Sequence, residues 1–242
     1  MWGSADYESV ISFLKIQVQG QGVRVCVVNL HADIFEADLK LKVLQYGAEY
    51  FLENNYLFEP YEALSYRLHR WLTIDSLLKS PVITSRFAGR SSTTISMLRQ
   101  VIELAFFSQN NVLLLGERGV GKEQIAHIIH DFDQRTAKSD MVTLDCSTLK
   151  KELSGSELFG HDRGAFTGAD NNREGAVSLA DKGTFFLDEI TEMPVNLQSE
   201  FLRVVQEGSY KKLGSNIWRR SQFRLVAATN RNLIEKVNNG EF

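Results

Sequence analysis

The chain has 242 residues, of which 43% are apolar and 24% charged, and its formal net charge is −3. That composition fits one or two globular domains and excludes a wholly disordered chain. Neither residues 1–85, with 7 Lys+Arg against 10 Asp+Glu, nor residues 86–242, with 20 against 20, show the basic excess of an autonomous DNA-binding domain.

In chain order, Val10, Ile11, Phe13, Leu14 and Ile16 mark one face of a helix over 5–18, broken by Gln19-Gly20-Gln21-Gly22. Val23–Leu30 is a β-branched apolar run and reads as a buried strand. Asp33 caps a helix carrying Leu39, Leu41, Val43 and Leu44, which Gly47 stops. Ala48–Leu52 is a short strand, Glu53-Asn54-Asn55 a turn, and Tyr61–Leu78 an amphipathic helix. Two short strands separated by helices predict a parallel α/β unit. Lys79-Ser80-Pro81 is the candidate linker, and Ile95, Leu98, Val101, Ile102 and Ala105 form the next helical stripe.

From there the alternation repeats on a larger scale. Strand Val112–Leu115, helix Glu123–His130, strand Met141–Leu144, a glycine-rich stretch, strand Thr184–Leu187, helix Leu197–Gln206 and strand Phe223–Ala227 predict a second parallel layer. Apolar runs such as Val112–Leu115 are far short of the ~18 residues that cross a bilayer. Met1–Asp6 has neither a basic nor an apolar signal region. Cys26 and Cys146 lie far apart in strand-like runs. These features predict a cytoplasmic protein with reduced, buried cysteines and no membrane partner.

Three segments carry chemistry. Gly116-Glu117-Arg118-Gly119-Val120-Gly121-Lys122 fits G-x-x-x-x-G-K between a strand and a helix. There, backbone N–H groups can cradle phosphates and Lys122 can supply a cation. The bland alternative is a glycine-rich turn beside a surface lysine. Glu123 stands where the usual motif has a hydroxyl to touch Mg²⁺. The strand Thr184–Leu187 delivers Asp188-Glu189, costly at an apolar strand end unless the carboxylates serve a cation or a reaction. Asp188 would hold Mg²⁺ and Glu189 would polarise an attacking water. Phe223–Ala227 leads to Ala228-Thr229-Asn230, which places Asn230 as a candidate sensor of the γ-phosphate. Finally, Gly160–Ala169 sets Phe166 between glycines: either an exposed, partner-contacting tip or a ring tucked into the core.

Residues 86–242 resemble the central AAA+ domain of sigma-54-dependent transcriptional activators. GERGVGKE, SELFGHDRGAFTGA, GTFFLDEI, FLRVVQEG and LVAATN occur in the family's order. The resemblance implies a P-loop AAA+ fold, an α/β parallel sheet with flanking helices, and ATP with Mg²⁺ as ligands. It implies that Gly164, Ala165, Phe166, Thr167, Gly168 and Ala169 form the loop that engages sigma-54, with Phe166 and Thr167 at its tip. It makes Glu123 ordinary, and it makes Arg118 and Val120 tolerable replacements in a loop whose contacts are mainly backbone.

The family usually has Asn-Cys on the second strand, the Asn holding the catalytic glutamate as a switch. Asp145-Cys146 stands here, and an ionised carboxylate has no proton to donate to Glu189. Residues 1–80 resemble the second half of a response-regulator receiver, a flavodoxin-like remnant, on the pattern Gly47–Asn55. Asn54-Asn55 replaces the receiver's Lys-Pro, and an unrelated small α/β regulatory domain remains the alternative.

The resemblance implies a sigma-54 RNA polymerase holoenzyme partner, promoter and enhancer DNA in the intact family, and a homo-oligomeric ring that hydrolyses ATP. The rival expectation is a nucleotide-binding interaction module that binds ATP and sigma-54 without productive hydrolysis. The family's arginine fingers, lid and DNA-binding helices would lie beyond Phe242. A sheet order 5-1-4-3-2 is implied, with its fifth strand also beyond Phe242, so the strand Val112–Leu115 is expected at an edge.

Overall fold

The computed structural model describes residues 10–12, 14–15, 24–29, 37–46, 48–53, 60–150 and 152–242. The readings at Phe13, Ile16, Gln19–Gly22, Asp33, Gly47 and Asn54-Asn55 lie outside the described residues. The chain divides into two units, Met1–Gln100 and Val101–Phe242.

In the first unit, β1 (Cys26–Asn29), α1 (Ala37–Gln45) and β2 (Tyr50–Glu53) form a β-α-β crossover. The two strands pair in parallel, Cys26 opposite Tyr50 and Val28 opposite Leu52. Leu14, Val43, Ala48 and Phe51 are buried together, with Val10, Val25 and Val27 packed against them. The helix α2 (Pro60–Leu78) buries Ile74. Asp75, on the same helix, accepts from Arg24 at 3.0 Å and from Arg99 at 3.2 Å. The expected linker is a tight turn: Lys79 and Ser80 donate N–H groups to Ser76 and Leu77, and α3 (Pro81–Thr84) begins at once. Pro81 sits at the first helical position, where its missing N–H costs nothing.

The boundary between the units falls within α4 (Ser92–Phe107), whose stripe Leu98, Val101, Ile102 and Ala105 is buried as the spacing predicts. There follow β3 (Val112–Leu115), α5 (Lys122–Phe132), β4 (Met141–Asp145), α6 (Ser154–Phe159), β5 (Gly160–His161), β6 (Arg173–Glu174) and α7 (Ala176–Leu179). Then come β7 (Thr184–Asp188), α8 (Val195–Glu207), β8 (Ser209–Tyr210), β9 (Arg219–Arg220), β10 (Arg224–Thr229) and α9 (Leu233–Asn238).

The main sheet has the order β3-β10-β7-β4, and all its pairs are parallel. In chain order this is 1-4-3-2, the described part of the expected arrangement. Among the described residues β3 pairs only with β10, and Leu113 and Leu115 stand 47% and 67% exposed. At the centre, Phe185, Phe186 and Leu187 of β7 are fully buried, as a strand covered on both faces requires. Ile125, Ile128, Ile129 and Phe132 bury one face of α5, while Leu197, Phe201 and Val204 bury one face of α8.

Two small antiparallel pairs escaped the sequence reading, because two-residue strands carry no periodicity. β5 and β6 pair Gly160 with Glu174 and His161 with Arg173, closing the base of the 162–172 loop. The closure is tight: a Cβ on Gly175 would lie 2.2 Å from the Gly160 nitrogen. β8 and β9 form the second pair. The segment beyond β8 docks on the loop base, Leu213 donating its N–H to Gly160 and accepting from Asp162.

Candidate functional site

Because the four main strands run in parallel, their C-terminal ends share one rim of the sheet, where ligands of open α/β folds bind. Gly116, Asp145, Asp188 and Thr229 all stand at those ends. The register sets Asp145 opposite Asp188 and Thr229 opposite Leu115, and Gly116 donates its N–H to the Thr229 carbonyl.

The loop from Gly116 to Lys122 joins β3 to α5. Gly119 and Gly121 have φ of 81° and 90°, which explains glycine at both positions. Glu117, Arg118, Val120 and Glu123 are exposed, whereas Lys122 is buried. Its Nζ donates to the carbonyls of Gly116 at 2.9 Å and Glu117 at 3.1 Å, so the loop is closed on its own lysine.

Glu189 follows β7 in the left-handed region, with φ 46° and ψ 51°. A non-glycine residue there costs about 1–3 kcal/mol, and such strain clusters at functional sites. The Glu189 carboxylate is buried. Its Oε2 accepts from the Asn230 N–H at 3.2 Å and from Thr229 Oγ1 at 3.5 Å, and Arg118 Nε lies 3.9 Å from Oε1. Thr229 Oγ1 also meets Thr191 Oγ1 at 2.9 Å. The link to the end of β10 therefore runs through the backbone of Asn230 and the hydroxyl of Thr229; the Asn230 side chain is exposed. Arg118 is the contact that sequence reasoning missed, having treated that position as a passive replacement.

Asp145 caps its own turn. Its Oδ1 accepts from the N–H and the hydroxyl of Ser147, at 2.8 Å and 2.7 Å, capping the short 3-10 turn Cys146–Thr148. Oδ1 of Asp145 thus serves its own turn, and Glu189 is held from the β10 side. Asp188 Oδ1 accepts from the Glu189 N–H at 3.0 Å. Burial raises the Asp188 pKa above the ordinary value, and the charges of Glu189 and Asp145 push the same way; the Glu189 amide and Lys122 oppose them. Next door, burial drives the Cys146 thiol up to about 12, so it is an inert core group. No cluster of three or more metal-ligating side chains exists among the described residues. A divalent cation here would rest on Asp188 and on oxygens of a ligand, the usual arrangement for Mg²⁺.

A carboxyl whose folded pKa is raised costs stability above that pKa, and the cost disappears below the unfolded value. Asp188→Asn is therefore expected to raise the urea midpoint at neutral pH, with the gain vanishing near pH ~3.5. A gain of the same size at both pH values would show that charge burial is not its source.

The other candidate loop lies between β5 and β6. Thr167 is exposed, but Phe166 is half-buried and meets the His161 ring edge-on, with centroids 5.0 Å apart. The Phe166 ring therefore leans on the His161 ring at the loop base, while Thr167 stands at the surface. His161 is itself oriented by Ser156, whose Oγ lies 2.7 Å from Nδ1. Gly164 and Gly168 have φ of 82° and 95°, Ala165 is half-buried and Ala169 buried.

A parallel sheet with a glycine-rich strand-to-helix loop at its first strand and an acidic pair ending a neighbouring strand defines a P-loop α/β protein of the AAA+ type. The chain belongs to the sigma-54 interaction domain family, whose model matches residues 88–242. It is 48% identical over 151 residues to the anaerobic nitric oxide reductase transcription regulator NorR of Aeromonas hydrophila, covering 62% of this chain and 30% of that protein. It is 37% identical over 238 residues to the alginate biosynthesis transcriptional regulatory protein AlgB of Pseudomonas aeruginosa, covering 94% of this chain and 51% of that one. Crystal structures of NtrX from Brucella abortus are similar at 26% identity. The ADP complex has a TM-score of 0.57 over 98% of this chain and 49% of that one; the ATP complex has 0.57 over 91% and 46%. The chain thus spans about a third to a half of the length of these relatives. Among the described residues no helix is long and apolar enough to cross a membrane.

Proposed function

We propose that this chain binds ATP with Mg²⁺ at the rim formed by Gly116–Glu123, Asp188, Glu189 and Asn230, and engages sigma-54 RNA polymerase through Gly164–Ala169 to activate transcription. The observation that carries the reading is the convergence at one rim of Lys122, on a loop of left-handed glycines, with the Asp188-Glu189 pair. In this reading Lys122 leaves its two loop carbonyls for the phosphates, and the N–H groups ahead of α5 support it. Asp188, ionised, holds the cation. Glu189, fixed by Asn230 and Thr229, accepts the proton of an attacking water. The names of the NtrX complexes and of the transcriptional regulators support the same assignment.

Ring assembly, action at promoter and enhancer DNA, and a receiver-like regulatory role for residues 1–80 complete the proposal. The β-α-β crossover of β1, α1 and β2 supports the last of these. The turn of Asp145 toward Ser147 favours a second reading, binding of ATP and sigma-54 without turnover, because the switch seen in the family pattern has no counterpart at that position.

The test is retention of purified sigma-54 on immobilised protein with a non-hydrolysable ATP analogue. Thr167→Ala, at an exposed position, should reduce retention roughly tenfold, the scale of one interface contact worth about 1.4 kcal/mol. Undiminished retention would remove the loop from the interface. Phosphate release measured in the same samples separates the two readings.

A further inference from the structure

We propose that Arg118 is the residue by which this site tells a nucleoside triphosphate from a diphosphate: it rests on Glu189 and transfers its guanidinium to a terminal phosphate. The inference rests on the ATP reading above and adds a residue to it.

The two cations of the Gly116–Lys122 loop are held differently. Lys122 is buried and committed to two carbonyls of its own loop. The Arg118 side chain is 77% exposed and reaches across to Glu189 with a separation of 3.9 Å. Glu189 is the better anchored of the two: its side chain is 10% exposed and its Oε2 accepts from the Asn230 N–H and the Thr229 hydroxyl. The acid is therefore the fixed member of the pair and the arginine the mobile one.

An exposed ion pair of this length is worth less than about 1 kcal/mol. A guanidinium on a phosphate makes paired, charge-assisted hydrogen bonds that are stronger. Transfer is therefore favourable once a phosphate arrives within reach. Only one phosphate of a nucleotide qualifies. Glu189 serves a water at the terminal phosphate of a triphosphate, so a guanidinium resting on Glu189 already stands beside that group. The phosphates nearer the nucleoside lie toward Lys122 and the start of α5.

The transfer also changes Glu189. While paired, Glu189 Oε1 is occupied by Arg118; after transfer, that oxygen is left open to the water. A single side chain on the phosphate loop would thus link recognition of the third phosphate to release of the base. No amide donor at position 145 is needed for that, which fits an aspartate there that accepts from Ser147.

The experiment is calorimetric titration of the 242-residue chain with Mg²⁺ and either ADP or a non-hydrolysable ATP analogue. Arg118→Ala should weaken the triphosphate roughly tenfold and leave ADP within about twofold. Arg118→Lys, which keeps the charge but loses the paired geometry, should fall between. Glu189→Gln removes the resting partner's charge and should tighten triphosphate binding in the parent chain. It should do nothing in the Arg118→Ala background. Equal losses for both nucleotides, or no loss for either, would overturn the role of Arg118 while leaving the ATP site standing. Failure of the parent chain to bind either nucleotide would overturn the ATP reading and this inference with it. Arg118 is exposed, so unchanged thermal unfolding of its variants is the check on folding.

Discussion

Arg224→Met is expected to destabilise the second unit by about 1–3 kcal/mol, the cost of leaving buried hydrogen-bond acceptors unsatisfied. Arg224 is 2% exposed and begins β10. Its guanidinium donates to the carbonyls of Leu104 at 2.9 Å and Ala105 at 3.3 Å, at the end of α4, and to Asn110 at 3.1 Å; it also reaches Asp133 Oδ2 at 3.4 Å. The last carbonyls of a helix have no partner of their own, and here one side chain satisfies two of them. Methionine would fill much of the volume but leave three carbonyls without this donor.

Asp133 would keep Arg135, which holds both its oxygens at 3.0–3.1 Å, so the loss should fall short of stranding a bare charge. Urea unfolding of the two proteins measures the difference. A loss under about 1 kcal/mol would mean that water replaces the guanidinium and that the cluster is not a structural clamp.

The same cluster sets an acid limit. Burial raises the Asp133 pKa, but hydrogen bonds from Arg135, with the charges of Arg135 and Arg224, outweigh it and leave the carboxyl below its ordinary value. A lowered folded pKa contributes stability that is present above the unfolded pKa and lost as pH falls through the folded one. The Arg224 variant should therefore lose less on acidification than the parent chain.

The second large effect is on binding. Lys122→Ala is expected to weaken the ATP analogue at least about 100-fold, equivalent to roughly 2.7 kcal/mol, within the range of hydrogen bonds to charged groups. Two roles are removed together, the cation for the phosphates and the tie that closes the loop through Gly116 and Glu117. ADP affinity should fall as well, because Lys122 faces phosphates common to both nucleotides. That outcome distinguishes it from Arg118, whose removal should affect only the triphosphate. Calorimetry on the variant decides the matter: affinity within about threefold of the parent would take Lys122 out of the site.

The elements legible in the sequence were those whose signal is local. β3 needed only a run of four apolar residues, and α5 and α8 only apolar positions at helical spacing, since either pattern leaves one way to bury its surface. The strand β7 was legible to within one residue, because a strand covered on both faces must be apolar throughout. The acidic pair at its end stood out for the same reason: carboxylates are costly beside such a run unless they have work there. The glycines at 119 and 121 announced their left-handed backbone, which other residues adopt only with strain.

Contacts between distant segments were settled by the tertiary fold alone. Phe166 had two possible environments on sequence grounds, and its contact with His161, held in turn by Ser156, carried no signal in the local pattern. Arg118 acquired a partner 71 positions along the chain only because β3 and β7 flank β10 in one sheet. Arg224, hidden in an apolar strand, carried no pattern at all, since its four acceptors come from the end of α4, Asn110 and Asp133. Periodicity and backbone preference are properties of neighbours in sequence and can be read from it. A charge finds its partner through the sheet order and register, which are set by the packing of the whole layer.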